Sequence, residues 1–544
     1  MRWRPIPKFS AMHRYALPRR AFRSLLLLLL LGGTAVSRSL LAQSAPERPN
    51  IIFILSDDHA YQAVSAYGHP VGRVAPTPNI DRIARNGVRF DRAFCANAIC
   101  GPSRASILTG KHSHVNGFRE NSGKFDAGQW QWHKELATAG YTTAVIGKWH
   151  LGVDPEGFDY YDILNGQGHY YNPDFRSNDG RGRYREEGYC TDIITEKAMT
   201  WLREQQQGSP DQPFALMLWH KAPHRNWQPA PRHQNRYDST YFPVPLTYFD
   251  EYRSRPAAAL QMMEIYNPNH VYEGHDLKMT VPGTNQLRYD RWKGHFGRMT
   301  EEQRETWDRN YHDKNEAFNL VEPNLSAEQV ALWKYQRYMQ DYAATISSLD
   351  EGIGEVLDYL EETGLDSNTI VVYTSDQGFF LGEHGWLDKR FMYEESLRIP
   401  LLMQYGNHLP AGSTESAMVQ NIDFAPTLLD MVGLDVPSDV QGRSFADAVR
   451  TPGNDHHYDQ VYYHFYEFPG IHTARRHYGV RDDRYKLIHF YHDLDYWELF
   501  DLEADPLEIN NVYDDPAYSE VRSRMHAELD QLEQRYAVPE QDRR

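Results

Sequence analysis

The sequence predicts an α/β fold: a large, mostly parallel but mixed sheet flanked by helices, with a smaller C-terminal α+β subdomain. Three observations predict it. Short apolar runs end in polar or acidic residues, as in RPNIIFILSDDHA (48–60), PFALMLWHKAPH (213–224) and NTIVVYTSDQG (368–378); buried parallel strands present side chains this way at their carboxyl ends. Stretches with helical spacing alternate with those runs. After about residue 440 the pattern changes, and YKLIHFY and WELFDL read as antiparallel strands.

Taken in order, the first run is a buried strand over Ile51 to Leu55 that stops at Ser56-Asp57-Asp58. TPNIDRIARNGVRFDRAFC (77–95) sets Pro78 before apolar residues at helical spacing, breaks at Gly87 and continues as a short strand. ASILTGK predicts a helix starting after Pro102. WHKELATAGYTTAVIGKWHLG (132–152) reads as helix, Gly140 break, strand and loop, and 213–224 repeats the strand and loop. Residues 225–335 are rich in Tyr, Trp, Arg, His and Pro with little periodicity, and read as a long insertion beside the site. A long amphipathic helix is expected over 341–364, then the strand of 368–378, and near the end one packed helix over 516–536. There is no internal repeat.

The chain has 544 residues, 41% of them hydrophobic and 13% aromatic, enough for a large core. Residues 1–43 carry basic residues and no acid, then LLLLLLLGGTAV, then small residues around Ala42 and Ala45. This is the pattern of a signal peptide and predicts export, to the periplasm or beyond the cell. RRAF at 19–22 loosely resembles a twin-arginine signal. The apolar run is shorter than a full membrane span, so stable membrane insertion is not expected. The expected organisation is a signal peptide over 1–43, a main domain over 44–440 that includes the insertion, and a subdomain over 441–544. Past residue 43 the chain holds 49 Lys and Arg against 74 Asp and Glu, a net charge of −25. Such a surface repels polyanions, which excludes nucleic acid as a partner. Any anionic ligand has to be held by a local cluster of cations.

Asp57-Asp58 and Asp376-Gln377 each follow a strand. Alone, either pair reads as an ordinary polar turn. Together, on strands that end at one side of a sheet, they favour an all-oxygen site for a hard divalent ion such as Ca²⁺. Lys148 and His150 follow another strand, His224 lies in KAPH and Lys389 in GWLDKR. With Arg104 these would form a trap for a tetrahedral anion. Cys95, Cys100 and Cys190 are the only cysteines, so one thiol at least is unpaired. Cys100 reads equally as a low-pKa nucleophile at a helix start or as a buried structural thiol.

CGPSRASILTG (100–110) and GYTTAVIGKWH (140–150) resemble the two signatures of the formylglycine-dependent sulfatases of the alkaline-phosphatase superfamily. Asp57-Asp58, the TSDQG strand end and WELFDLEADPLEINNV match as well, so the resemblance runs from about residue 48 to 540. It implies that a formylglycine-generating enzyme oxidises Cys100 to formylglycine, whose hydrated aldehyde is the nucleophile. It implies Ca²⁺ held by Asp57, Asp58, Asp376 and Gln377 with the modified Cys100. Gln377 stands where the family commonly has Asn and keeps the amide oxygen. The resemblance further assigns Arg104 and Lys148 to the nucleophile and sulfate oxygens, and Lys389 to sulfate. His150 would bond the second hydroxyl of the gem-diol, and His224 would be the acid for the leaving alcohol.

The stretches 374–403 and 464–491 resemble carbohydrate sulfatases that include N-acetylglucosamine-6-sulfatases. That implies a sulfated glycan as substrate, with loss of a 6-O-sulfate from N-acetylglucosamine or a related sugar. His472, Arg476 and His477 would then contact sugar hydroxyls or a neighbouring anion, or else belong to a solvated loop. The alternative activity is a phosphonate monoester or phosphodiester hydrolase with the same modified cysteine. A carbohydrate-binding protein with a retired site is a non-enzymatic alternative, and the complete set of catalytic residue types speaks against it.

Overall fold

A computed structural model describes residues 48–289, 296–453 and 457–543; the segment read as a signal peptide lies outside them. The first strand, β1 (Asn50–Ser56), is buried along its whole length. Its side chains alternate between two cores: Ile51, Phe53 and Leu55 face one, and Ile52 and Ile54 face the other. Burial on both faces is what its unbroken apolar run requires.

Ten more strands complete the main sheet: β2 (Val88–Phe94), β3 (Thr142–Gly147), β4 (Tyr160–Leu164), β5 (Asp174–Ser177), β6 (Gly182–Arg185), β7 (Phe214–Trp219), β8 (Thr369–Ser375), β9 (Arg398–Tyr405), β10 (Ser413–Glu415) and β11 (Val419–Gln420). Their order is β10-β2-β9-β8-β1-β7-β3-β4-β5-β6, with β11 also paired to β2. The five central strands β8, β1, β7, β3 and β4 are parallel. β9 runs antiparallel between β8 and β2, and β5 and β6 are antiparallel at the far edge. The sheet is therefore mixed, as expected. The register pairs Ser56 with Ser375 and both Leu55 and Gly147 with Trp219, so β1, β3, β7 and β8 end level on one edge.

Three helices differ from the sequence expectation. The helix expected from 341 is Ala327–Thr363, 37 residues long. It starts earlier because Ser326 and Gln329 form a capping box, which satisfies amides at its first turn. Within the segment expected to lack periodicity lies the helix Glu301–Val321, capped by Thr300 and Gln303. It buries only a narrow stripe that includes Trp307, Tyr311 and Phe318, too sparse to stand out against its many charges. The helix expected after Pro102 is Cys100–Thr109, buried at every position, so Cys100 opens its first turn. Gly110, left-handed at φ 63°, ends it.

A second sheet of four antiparallel strands follows, β12 (Val461–Phe465), β13 (His477–Arg481), β14 (Tyr485–Phe490) and β15 (Tyr496–Asp501), in sequential order. One face packs on the helix Ser519–Arg535 through Met525, Leu529 and Leu532. Tyr463, Phe465, Ile488 and Phe490 join the core of the main sheet, and Pro49–Arg544 form one compact unit. No helix among the described residues is long and apolar enough to cross a membrane.

Candidate active site

The level strand ends bring the chemistry together. Asp57 and Asp58 follow β1, Lys148 follows β3, and Asp376 and Gln377 follow β8. The first turn of Cys100–Thr109 enters the same point, held there by Ser103, whose hydroxyl donates to the Asp376 carbonyl and accepts from Asn421 Nδ2 at 2.8 Å. Gly101 has no room for a side chain: a Cβ would lie 2.6 Å from Phe118 Cε1 and 2.8 Å from Asn121 Oδ1. That approach lets Asn121 accept from the Gly101 amide at 3.0 Å and fixes the helix start.

Three carboxylates and three cations interlock here, all wholly or almost wholly buried. Arg104 donates to Asp376 Oδ2 from Nε at 3.1 Å and Nη2 at 3.0 Å. Lys148 pairs with Asp57, and Lys389 donates to both oxygens of Asp58 at 2.6 and 2.8 Å. Desolvation works against the charge on Asp57, yet Lys148, with Arg104, holds it well below the usual carboxylate range. Burial, with Asp57 adding, pushes Asp58 up to about 6 and Asp376 up to about 8; Lys389 opposes the first shift and Arg104 the second.

Burial, with Asp57 adding, pushes the Cys100 thiol up. The thiol is therefore protonated at neutral pH, which removes the low-pKa reading of this residue. All three cysteines are free and buried.

Burial, with Lys148 adding, lowers both His150 and His224 well below the ordinary imidazole range. His224 Nδ1 lies 2.6 Å from the Arg225 carbonyl and must carry the proton, so Nε2, 3.8 Å from Asp58 Oδ2, is left open toward the site.

One atom each from Asp57, Asp58, Cys100 and His224 lies within 4.8 Å of the others. Two buried oxygens of the cluster, Asp57 Oδ1 and Gln377 Oε1, lack a hydrogen-bond partner. An oxygen-rich set with orphaned acceptors fits a hard divalent cation.

A cavity of about 410 Å³ opens onto Cys100, His224 and Lys389. Lys221, Arg225, Asp388 and Arg390 also line it and were not singled out from the sequence. The available signal was proximity, because Lys221 and Arg225 lie within three residues of His224 and the others flank Lys389. His472 lines the cavity with Nε2 3.1 Å from Asp388 Oδ2. Arg476 and His477 are not among the lining residues, which corrects the expectation for both. Arg476 donates to the carbonyls of Tyr466 at 2.8 Å and Phe468 at 3.1 Å. His477 is buried in β13, where Nε2 accepts from the Met392 amide at 3.1 Å and Nδ1 meets the Arg475 carbonyl at 2.7 Å. Both side chains hold backbone groups. Through His477 and Tyr463, which donates to the Arg390 carbonyl, the C-terminal sheet anchors the loop that carries Lys389.

An α/β enzyme with acids and cations converging at its strand ends is the class that fold and site define. Residues 49–434 match the family model Sulfatase, and 382–535 match N-sulphoglucosamine sulphohydrolase, C-terminal. The chain belongs to the sulfatase family, and it is a sulfatase.

It is 46% identical over 501 residues to an N-acetylglucosamine-6-O-sulfatase of Bacteroides thetaiotaomicron, covering 90% of this chain and 87% of that one. A solved structure in complex with its substrate D-glucosamine-2-N,6-O-disulfate superposes with a TM-score of 0.85 at 46% identity, over 91% of this chain and 99% of the other. A phosphonate monoester hydrolase from Silicibacter pomeroyi is 20% identical with a TM-score of 0.66, over 90% of this chain and 96% of its own. That likeness is one of fold.

Proposed function

We propose that this sulfatase removes the 6-O-sulfate of N-acetylglucosamine, or of a related hexosamine, from a sulfated glycan. Cys100 acts after conversion to formylglycine by a formylglycine-generating enzyme, and the protein works outside the cytoplasm. The observation that carries the reading is the position of Cys100, which lines the cavity and lies beside the cluster of three carboxylates and three cations. A volume of about 410 Å³ accommodates one sulfated sugar. The 46% identical relative supports the sulfate ester and the sugar over the phosphonate alternative.

Asp57, Asp58, Asp376 and Gln377 would hold Ca²⁺. Bound there, calcium supplies Lewis-acid polarisation of the sulfuryl oxygens, and formylglycine supplies a hydroxyl nucleophile with an internal exit for sulfate. The chain's own residues do the rest. Arg104, Lys148 and Lys389 face the developing negative charge from fixed positions, so no reorganisation is needed in the transition state. His224 takes a proton at Nε2 as the anionic ester enters and passes it to the leaving sugar oxygen. His150, held neutral, accepts a proton from the hydroxyl not used in attack. Asn121, Asp388 and Arg390 offer donors and acceptors for sugar hydroxyls.

Mass spectrometry of the peptide that spans Cys100 tests the nucleophile: formylglycine is expected in active protein, and an unmodified thiol at full activity overturns it. A panel of sulfated hexosamines beside aryl phosphodiesters tests the substrate. The 6-sulfate is expected to be turned over fastest, and a preference for the diester refutes the reading.

A further inference from the structure

The same cavity contains a cation to which the chemistry above gives no role. Lys221 is 3% exposed and lines the cavity with Cys100 and His224. The other lysines and arginines of the site are tied to carboxylates: Lys389 to Asp58 at 2.6 Å, Arg104 to Asp376 at 3.0 Å, and Lys148 to Asp57. On the cavity wall, Arg225 Nε donates to Asp276 at 2.9 Å and Arg390 contacts Asp388 and Glu467 at 3.1 Å each. The Lys221 ammonium instead lies over the ring of Tyr170, 4.8 Å from its centroid, and among the described residues no carboxylate is in ion-pair contact with it.

A buried cation without a counter-ion is costly, because its lost hydration is not replaced. Burial, with Lys148 adding, pulls its pKa down to about 8, which leaves it mostly protonated at neutral pH. Its place is nonetheless firmly built. The Asp57 amide donates to the Ala222 carbonyl at 3.2 Å, tying the segment to the carboxylates. The Tyr170 hydroxyl donates to the His224 carbonyl at 2.6 Å, so the ring beneath Lys221 also positions the acid.

We propose that Lys221 is a further catalytic residue: its ammonium binds the sulfuryl group of the ester, supplying a charge that is in ion-pair contact with no carboxylate among the described residues. The choice of anion rests on the sulfatase reading. Lys221 then trades fold stability for anion binding, as functional sites commonly do.

The test uses the full chain with calcium and inorganic sulfate as the probe, followed by calorimetry. Lys221→Met is expected to weaken sulfate binding roughly 10- to 100-fold. Its thermal midpoint should stay unchanged or rise, since an unpaired buried charge is gone, and Lys221→Arg should recover most of the affinity. Sulfate affinity within about twofold of wild type in Lys221→Met overturns the proposal, as does loss of binding in Lys221→Arg. If the methionine variant does not fold, Lys221→Gln repeats the neutralisation. Failure of the wild type to hydrolyse any hexosamine 6-sulfate while still binding sulfate through Lys221 would sink the substrate reading alone.

Discussion

Replacing Arg104 by methionine removes a charge at nearly constant length from the centre of the site. Arg104 is 0% exposed, makes two contacts of 3.0 and 3.1 Å to Asp376 Oδ2, and lies 3.7 Å from Asp57 Oδ1. Without it Asp376 has no side-chain cation in contact among the described residues. Removing one partner of a buried pair costs about 3–5 kcal/mol. For a compact unit of about 500 residues the unfolding entropy is about 1 kcal/mol per degree, so the midpoint should fall by about 3–5 °C. Asp376 is already pushed up to about 8 by burial and Asp57 with Arg104 in place. Loss of Arg104 leaves Asp376 more fully protonated, and the affinity for the proposed calcium ion should fall. Scanning calorimetry with calcium and with chelator reads both effects, and a turnover assay should show a loss of about 100-fold or more. The double variant Arg104→Met/Asp376→Asn should regain most of the midpoint, because the buried carboxyl left without its partner is gone. A single variant within about 1 °C of wild type, or a double variant less stable than Arg104→Met, would refute the reasoning.

Two further outcomes are expected. His224→Ala should slow hydrolysis of a sugar sulfate by roughly 10²- to 10⁴-fold but that of 4-nitrophenyl sulfate far less, because a phenolate needs no proton to leave; equal losses would exclude the acid role. Glu498, buried and bonded to Tyr393 at 2.9 Å and Tyr496 at 2.8 Å, is pushed by burial up to about 7. Since its folded pKa lies above the ordinary carboxylate value, its protonated form favours the fold. That contribution is complete below about pH 4.5 and is lost as pH rises to 7, roughly 3 kcal/mol in all. Thermal midpoints from pH 5 to 8 should therefore fall in the wild type relative to Glu498→Gln, and parallel curves would contradict the assignment.

Much of the site was legible because its chemistry is local to strand ends. Asp57-Asp58, Lys148, His224 and Asp376-Gln377 each sit within a few residues of an apolar run, and a parallel sheet brings such ends to one edge. The two family signatures placed Cys100 and Arg104 in the same way. The insertion was less legible: the helix Glu301–Val321 shows too few buried positions to give a clear period.

The sequence by itself determined the mixed α/β architecture and the family, because these follow from patterns within short segments. Only the tertiary structure decided which charges are matched. Lys389 meets Asp58 across 331 positions, and Arg104 meets Asp376 across 272. It also decided that His477 and Arg476 serve the backbone while His472 faces the cavity, although the three lie within six residues. The burial of the Cys100 thiol and of the Lys221 ammonium was decided there too. Each depends on how far water is excluded and on which distant groups fill the space, and neither quantity is written in any single segment of the chain.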